Sequence, residues 1–264
     1  MDKEIAELKT DMYEYTGEVE NGLPEGRGVL TNKNGEIFEG VFAKGVPTGE
    51  VKITTADGDV YTGLFKDNAL NGFCVYKGKD GTLYEGEYKD NERSGKGRLT
   101  YPEGHIYEGD FLLGKADGFG RFTFPDGTVY EGPFRDGMMH GVLTVTFANG
   151  DIFRGEFDSD EQYGISEIFY ADKSCYEGYA QDMEPNGVGK MSFSDGTVFK
   201  GYFKDGAMDG MDCEIVYPDK GRYRGDFIGG VAFGSGKYEN SEDMIFEGEA
   251  EAGVFRSGDF TKII

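Results

Sequence analysis

The stretch that decides the fold is Tyr107 to Val129, YEGDFLLGKADGFGRFTFPDGTV. Twenty-three residues earlier, Tyr84-Glu85-Gly86-Glu87-Tyr88 repeats its opening, and 23 later Tyr130-Glu131-Gly132-Pro133-Phe134 does so again. An aromatic residue followed two positions later by Gly recurs at Tyr15, Phe38, Tyr61, Tyr84, Tyr107, Tyr130, Phe153, Tyr176, Phe199, Tyr223 and Phe246, with one extra residue between Phe199 and Tyr223. Self-similarity at a fixed period means a stacked array of one supersecondary unit rather than a compact globule.

Side chains alternate faces along a strand, so Tyr107, Gly109 and Phe111 share one side while Glu108 and Asp110 share the other. The run Gly118-x-Gly120-x-Phe122-x-Phe124 alternates in the same way. Between the halves, Leu112 to Asp117 reads as a loop too long for a two-residue turn. After the second half, Pro125-Asp126-Gly127 reads as a tight turn with positive φ at both Asp and Gly, and Asp-Gly or Asn-Gly recurs at 34–35, 57–58, 80–81, 149–150 and 195–196. Each repeat is therefore one β-hairpin, and the predicted fold is all-β: an elongated, twisted, single-layer antiparallel sheet.

Gly at the third position of the repeat is present from Gly17 to Gly248, and Gly opens the second strand from Gly26 to Gly234. Gly inside a strand is tolerated where something must approach the backbone closely. The obvious occupant is the ring of a neighbouring strand, lying across the missing Cβ. Burying a Phe or Tyr ring contributes roughly 1.5–3 kcal/mol, more than the ~1 kcal/mol that a strand Gly costs.

The chain has 264 residues, 17 Tyr, 21 Phe, no Trp and a formal charge of −23. That charge argues against nucleic acid and against attraction to anionic lipid, and favours a basic partner. No apolar run is long enough to span a bilayer. Met1-Asp2-Lys3-Glu4 does not open a secretory signal, and Cys74, Cys175 and Cys213 lack metal or redox spacing, which together point to the cytoplasm.

Two domains of sequence follow: a capping segment over 1–14 and the repeat array over 15–264, ten complete copies and a truncated last one. Ile5, Leu8 and Met12 fall on one helical face and predict a short N-terminal helix, with a frayed tail as the alternative. The second Gly of the second strand is replaced at Val51, Cys74, Leu143, Ser166 and Asp212, and the extra residue before Pro218 predicts a β-bulge in the ninth repeat. The eighth to tenth repeats are the least regular, which suits a bend or an interaction surface.

Catalytic chemistry finds no foothold. His105 and His140 each lie beside a turn without a nucleophile at recurring spacing. Asp158-Ser159-Asp160-Glu161 lacks the spacing of a calcium loop, and each Gly-x-Gly lies inside a strand rather than before a helix. No enzyme activity, metal or cofactor is expected.

The expected partner site is the ring-lined face of the central repeats: Tyr84, Tyr88, Tyr107, Phe111, Phe124, Tyr130 and Phe134, which a single layer leaves uncovered. Glu85, Glu108 and Glu131 would form its rim and steer a segment carrying Lys or Arg.

The pattern Tyr-Glu-Gly-x-Phe, Gly-x-Gly and Asp-Gly at period 23 resembles the MORN (membrane occupation and recognition nexus) repeat family over residues 15 to about 260. The resemblance implies a twisted sheet with a concave aromatic groove and a scaffolding role, cytoskeletal or membrane-proximal. It also implies self-association through the C-terminal repeats, where Phe260-Thr261-Lys262-Ile263-Ile264 follows an incomplete copy and leaves an open edge. The leading expectation is a non-catalytic adaptor holding a basic amphipathic or extended protein segment. The alternative is a membrane-associated scaffold binding phosphoinositide head groups.

Overall fold

The computed structural model describes residues 4–264; Met1, Asp2 and Lys3, on which the reading of the N-terminus partly rests, lie outside the described residues. Every regular element among them is a β-strand, and they fall into two compact units, one ending at Met138 and one starting at Met139.

The first unit runs β1 (Glu4–Lys9), β2 (Tyr13–Glu20), β3 (Leu23–Asn32), β4 (Ile37–Ala43), β5 (Val46–Thr54), β6 (Val60–Lys66), β7 (Ala69–Lys77), β8 (Leu83–Lys89), β9 (Glu92–Thr100), β10 (Ile106–Leu112), β11 (Lys115–Thr123) and β12 (Val129–Arg135). Each strand pairs antiparallel with the next, so the unit is an open meander. The second unit takes up β13 (Met138–Thr146) from Met139 and continues through β14 (Ile152–Asp158), β15 (Glu161–Phe169), β16 (Cys175–Gln181), β17 (Glu184–Ser192), β18 (Val198–Lys204), β19 (Ala207–Val216), β20 (Arg222–Ile228), β21 (Val231–Glu239), β22 (Ile245–Glu251), β23 (Val254–Ser257) and β24 (Phe260–Ile263). It is a meander of the same kind.

The two kinds of turn are the reverse of the expectation. The hairpin inside each repeat closes with two residues, Leu113-Gly114 at φ 49° and 81°, Asp90-Asn91 at 52° and 72°, Asp136-Gly137 at 52° and 90°. Positive φ at both positions is what matches the twist of the flanking strands. Between repeats the turn has three residues: Phe124 N–H donates to Thr128 O at 2.8 Å across Pro125-Asp126-Gly127. Only Gly127, at φ 93°, is left-handed there. Asp126 instead accepts the Thr128 N–H on its carboxylate at 2.8 Å.

The N-terminal segment is also corrected. Residues 4–9 form strand β1, paired with β2 through Ala6↔Gly17 and Leu8↔Tyr15, not a helix. Six residues cannot nucleate a stable helix alone, whereas the exposed edge of β2 offers a full row of backbone partners. Ala6 and Leu8 then pack on the Tyr15–Phe42 cluster, while Ile5 is left exposed.

The extra residue of the ninth repeat is absorbed within β19, where the register to β20 shifts between Gly210 and Cys213 and Asp212 takes φ 52°. It is a bulge in the expected repeat, upstream of Pro218. The core lies on one face of each unit, the ring face, where the first aromatic and the glycines of each repeat point. The opposite, outer face carries the charged positions.

Candidate partner-binding site

Seats for the rings decide what the ring face exposes. Tyr107 lies across Gly109 of its own strand and Gly120 of the next, where an added Cβ would come 2.5 Å from its Cζ. Its hydroxyl donates to Asp110 O at 3.0 Å. That carbonyl belongs to the residue skipped where the β10–β11 register shifts between Gly109 and Phe111. Tyr84 repeats the arrangement with Glu87 O at 3.0 Å, and Tyr176 with Tyr179 O at 2.6 Å. The hydroxyl thus satisfies an acceptor that the bulge removes from the ladder.

Tyr84 and Tyr107 are each covered in turn by two edge-on neighbours. Tyr84 meets Tyr88 at 5.4 Å and Phe111 at 5.1 Å, and Tyr107 meets Phe111 at 5.1 Å and Phe134 at 5.2 Å. Edge-to-face pairs of this kind add about 0.5–1.5 kcal/mol beyond burial. Burial pushes the Tyr84 and Tyr107 hydroxyls above their ordinary range, and raises Tyr88 to about 12.

On β5 and β7 the seats are taken. Gly40 faces Val51, whose Cγ2 lies 3.2 Å from an added Cβ, and Gly63 faces Cys74, whose Cβ lies 2.8 Å away. Val51 and Cys74 are buried in the places a ring would occupy, and Phe38 and Tyr61 stand half-buried beside them. Phe38 leans on Phe65 at 6.1 Å, and Tyr61 on Tyr76 at 4.8 Å. In the second unit Ser166 replaces glycine, and the β19 bulge puts Cys213 in the place expected of Asp212, yet Phe153 and Phe199 keep their seats, with Cζ 2.6 and 2.8 Å from the added Cβ of Gly155 and Gly201. A ring without a hydroxyl fits beside Ser or Cys; a tyrosine or a β-branched neighbour leaves no room.

The displaced rings wall a groove of about 540 Å³. Its floor is Leu30, Ile53, Phe65 and Leu70, all buried. Asn32, Glu36 and Thr55 close it at the three-residue turns, and Pro47, Asn68 and Asn91 at the two-residue turns. Asn32 holds Glu36 at 2.6 Å, so one carboxylate stands at the turn-side mouth, while Asp59, outside the lining, accepts the Tyr76 hydroxyl at 3.1 Å. Burial, with Asp59 beside it, raises Tyr76 to about 12.

Of the seven rings expected to line an open face, Tyr84, Tyr88, Tyr107, Phe111 and Phe134 are buried, which corrects the premise that one layer leaves them uncovered. Their cover is one another. Phe124 and Tyr130 are half-buried, 5.3 Å apart beside His105 and Phe122. Glu85, Glu108 and Glu131 do not rim these rings. They stand on the outer face in a cross-strand row Glu85–Arg98–Glu108–Arg121–Glu131, where Arg98 Nη1 reaches Glu108 Oε1 at 2.7 Å. The groove's residues were missed because the most regular repeats look like the site, whereas the copies carrying Val51 and Cys74 are the ones that leave Phe38 and Tyr61 half-buried. The replaced glycines at Val51 and Cys74 were the available signal.

A second ring cluster is already occupied. Lys262 of β24 places its ammonium 4.1 Å from the Tyr217 ring and 4.7 Å from Tyr238, and donates to the Tyr238 hydroxyl at 3.0 Å. Phe260 stacks on Phe246 at 4.2 Å. The acidic loop is engaged locally: Asp158 meets His140 at 3.1 Å, and Asp160 accepts the Met139 N–H at 2.7 Å. Among the described residues no group of three or more His, Cys, Asp or Glu side chains is placed to hold a metal.

A family model described as the MORN repeat matches residues 15–37, 61–83, 84–106, 107–129, 130–152, 184–198 and 223–241. The chain belongs to the MORN repeat family. The stretches of this MORN array left between matches include those opened by Phe38, Phe153 and Phe199, three of the copies in which the second glycine is replaced. Among solved structures, the TCP10 domain of Danio rerio CPAP in complex with a STIL peptide aligns at 18% identity over 88% of this chain and 99% of that one, with a TM-score of 0.45. The TCP domain of Drosophila melanogaster SAS-4, in complex with a proline-rich motif of Ana2, aligns at 16% identity over 64% and 85%, with a TM-score of 0.39. At such scores, what those domains bind does not carry over to this MORN protein. No curated protein matches the chain.

Proposed function

We propose that this MORN array is a non-catalytic scaffold that holds a segment of another protein in the groove along β3–β7. The observation that carries the reading is the pair of rings, Phe38 and Tyr61, displaced by Val51 and Cys74 over an apolar floor. A concave apolar site with a few polar groups at its ends is the usual form of a binding site. Glu36 at the mouth favours a segment whose apolar anchors are followed by Lys or Arg, and opposes a phosphoinositide head group. Phe124 and Tyr130 are further contact candidates; the five buried rings serve by holding the sheet. A cytoplasmic setting beside the cytoskeleton suits three free cysteines.

The test compares wild type with Phe38→Ser/Tyr61→Ser, whose retained β signal is checked by circular dichroism. Partners recovered from native lysate with wild type are narrowed to a synthetic segment, and its affinity is measured for both proteins. Loss of at least about tenfold is expected from two aromatic anchors. A folded double variant that binds the same segment as tightly as wild type overturns the proposal.

A further inference from the structure

On the outer face of the second unit, one row of charges runs directly across six strands: Arg154 of β14, Glu167 of β15, Glu177 of β16, Lys190 of β17, Lys200 of β18 and Glu214 of β19. Glu167 stands opposite Glu177, and Lys190 opposite Lys200. Like charges directly opposite each other destabilise a sheet. Arg154 approaches Glu167 at 3.6 Å, Lys200 approaches Glu214 at 3.9 Å and Arg224 of β20 reaches Glu214 at 3.1 Å, while Glu177 and Lys190 stand opposite each other without an ion pair among the described residues. Beside this row runs an apolar one: Ile165 faces Tyr179 and Val188 faces Tyr202, exposed by 64%, 53%, 64% and 45%. An exposed apolar strip bordered by charge marks an interaction surface.

The signs read plus, minus, minus, plus, plus, minus, so the row is inverted about the line between β16 and β17. A two-fold axis lying along that line, parallel to the strands, would lay a second copy face to face on the first. Glu177 then meets the partner's Lys190, Glu167 the partner's Lys200, and Arg154 the partner's Glu214. The same axis sets Tyr179 on the partner's Val188 and Ile165 on the partner's Tyr202. Self-complementarity of this kind is what an isologous interface requires, whereas an unrelated partner places no condition between the two halves of a surface. An axis across the strands would instead press the charged row onto the apolar one, at a desolvation cost, or set each charge on its own copy.

We infer that the outer face of β15–β18 binds a second copy of this chain, with strands aligned and the two-fold between β16 and β17. The interface uses neither the open edge at β24 nor the ring face, so groove variants leave it untouched.

Sedimentation equilibrium of the full chain tests the inference by charge complementation. Wild type is expected to be a dimer at micromolar concentration. Glu167→Lys/Glu177→Lys makes the four central positions all positive, and Lys190→Glu/Lys200→Glu makes them all negative. Each variant alone is expected to dimerise at least about tenfold more weakly, because it meets its own charge. An equimolar mixture restores the dimer, since every facing pair is again opposite. The quadruple swap keeps two charges of each sign and dimerises. Should a single-sign variant lose its β signal, Val188→Arg, which buries a charge in the strip, is expected to be monomeric. A monomeric wild type, single-sign variants that dimerise like wild type, or a mixture that stays monomeric would each overturn the inference, as would a dimeric Val188→Arg.

Discussion

Strands β8–β11 and β4–β7 are built from the same 23-residue hairpin in the same unit, yet the first stretch buries its opening rings, Tyr84 and Tyr107, and the second leaves Phe38 and Tyr61 half-buried. The difference is a few atoms at one position. Gly97 and Gly120 leave seats that Tyr84 and Tyr107 fill; Val51 and Cys74 fill the seats themselves. In this fold, regularity makes framework and departure makes surface. The outer face gives a parallel case. Its charges alternate over β8–β12, whereas over β15–β18 Glu167 stands opposite Glu177 and Lys190 opposite Lys200.

The largest effect is expected from turning a closed repeat into an open one. Gly97→Val places methyl groups where Tyr84 now lies, an added Cβ already standing 2.6 Å from its Cζ. Gly97 is not left-handed, so no backbone strain accompanies the change. The ring loses its seat, its edge-on neighbours and its bond to Glu87 O, at a cost of about 3 kcal/mol. Denaturant unfolding measures it; a loss below about 1 kcal/mol would show that the seat is not what holds the array.

Alkaline titration separates the closed rings from ordinary tyrosine. Tyrosine ionises near about 10 when unfolded, while burial raises Tyr88 to about 12 and pushes Tyr84 and Tyr107 up as well. The fold therefore favours the protonated form. That stabilisation is complete below pH 10 and is lost as pH rises toward 12. Tyrosinate absorbance is expected to lag behind a denatured control over this window, and Gly97→Val is expected to gain a group titrating near the control. Coincident titration of folded and denatured protein would contradict the picture.

The smallest effect on stability, and the sharpest on function, comes from the reverse change. Cys74→Gly vacates the seat opposite Gly63 and lets Tyr61 fold into it. The lost thiol burial and the gained ring burial nearly offset, so stability changes by about 1 kcal/mol or less. The groove narrows, and affinity for its segment is expected to fall at least about tenfold. Unchanged affinity together with unchanged access of quenchers to tyrosine would separate the glycine rule from the groove.

Much of this was legible in the residues because a repeat multiplies weak signals. Period, strand alternation and glycine spacing were enough for the hairpins and for rings lying over glycines. The turns were misassigned because Asp-Gly serves both a two-residue turn and a three-residue loop, and only strand register separates them. Leu113 at φ 49° carries no sequence mark of its conformation. Residues 4–9 read as helix because Ile5, Leu8 and Met12 satisfy that period, while the pairing partner that makes them a strand lies at Tyr13–Glu20.

What the sequence by itself determined is the unit and its stacking: the positions of Tyr, Gly and Phe in each copy, the meander they imply, and the family. Those properties are local and periodic, so one copy predicts the next. Strand alternation had already put Glu85, Glu108 and Glu131 on the face away from the rings. Only the tertiary structure decided which rings are seated, and that Glu167 meets Glu177 while Lys190 meets Lys200. These depend on which residue stands opposite which. A register shift at a bulge, such as that between Gly178 and Ala180, changes the answer without any change in the neighbouring residues.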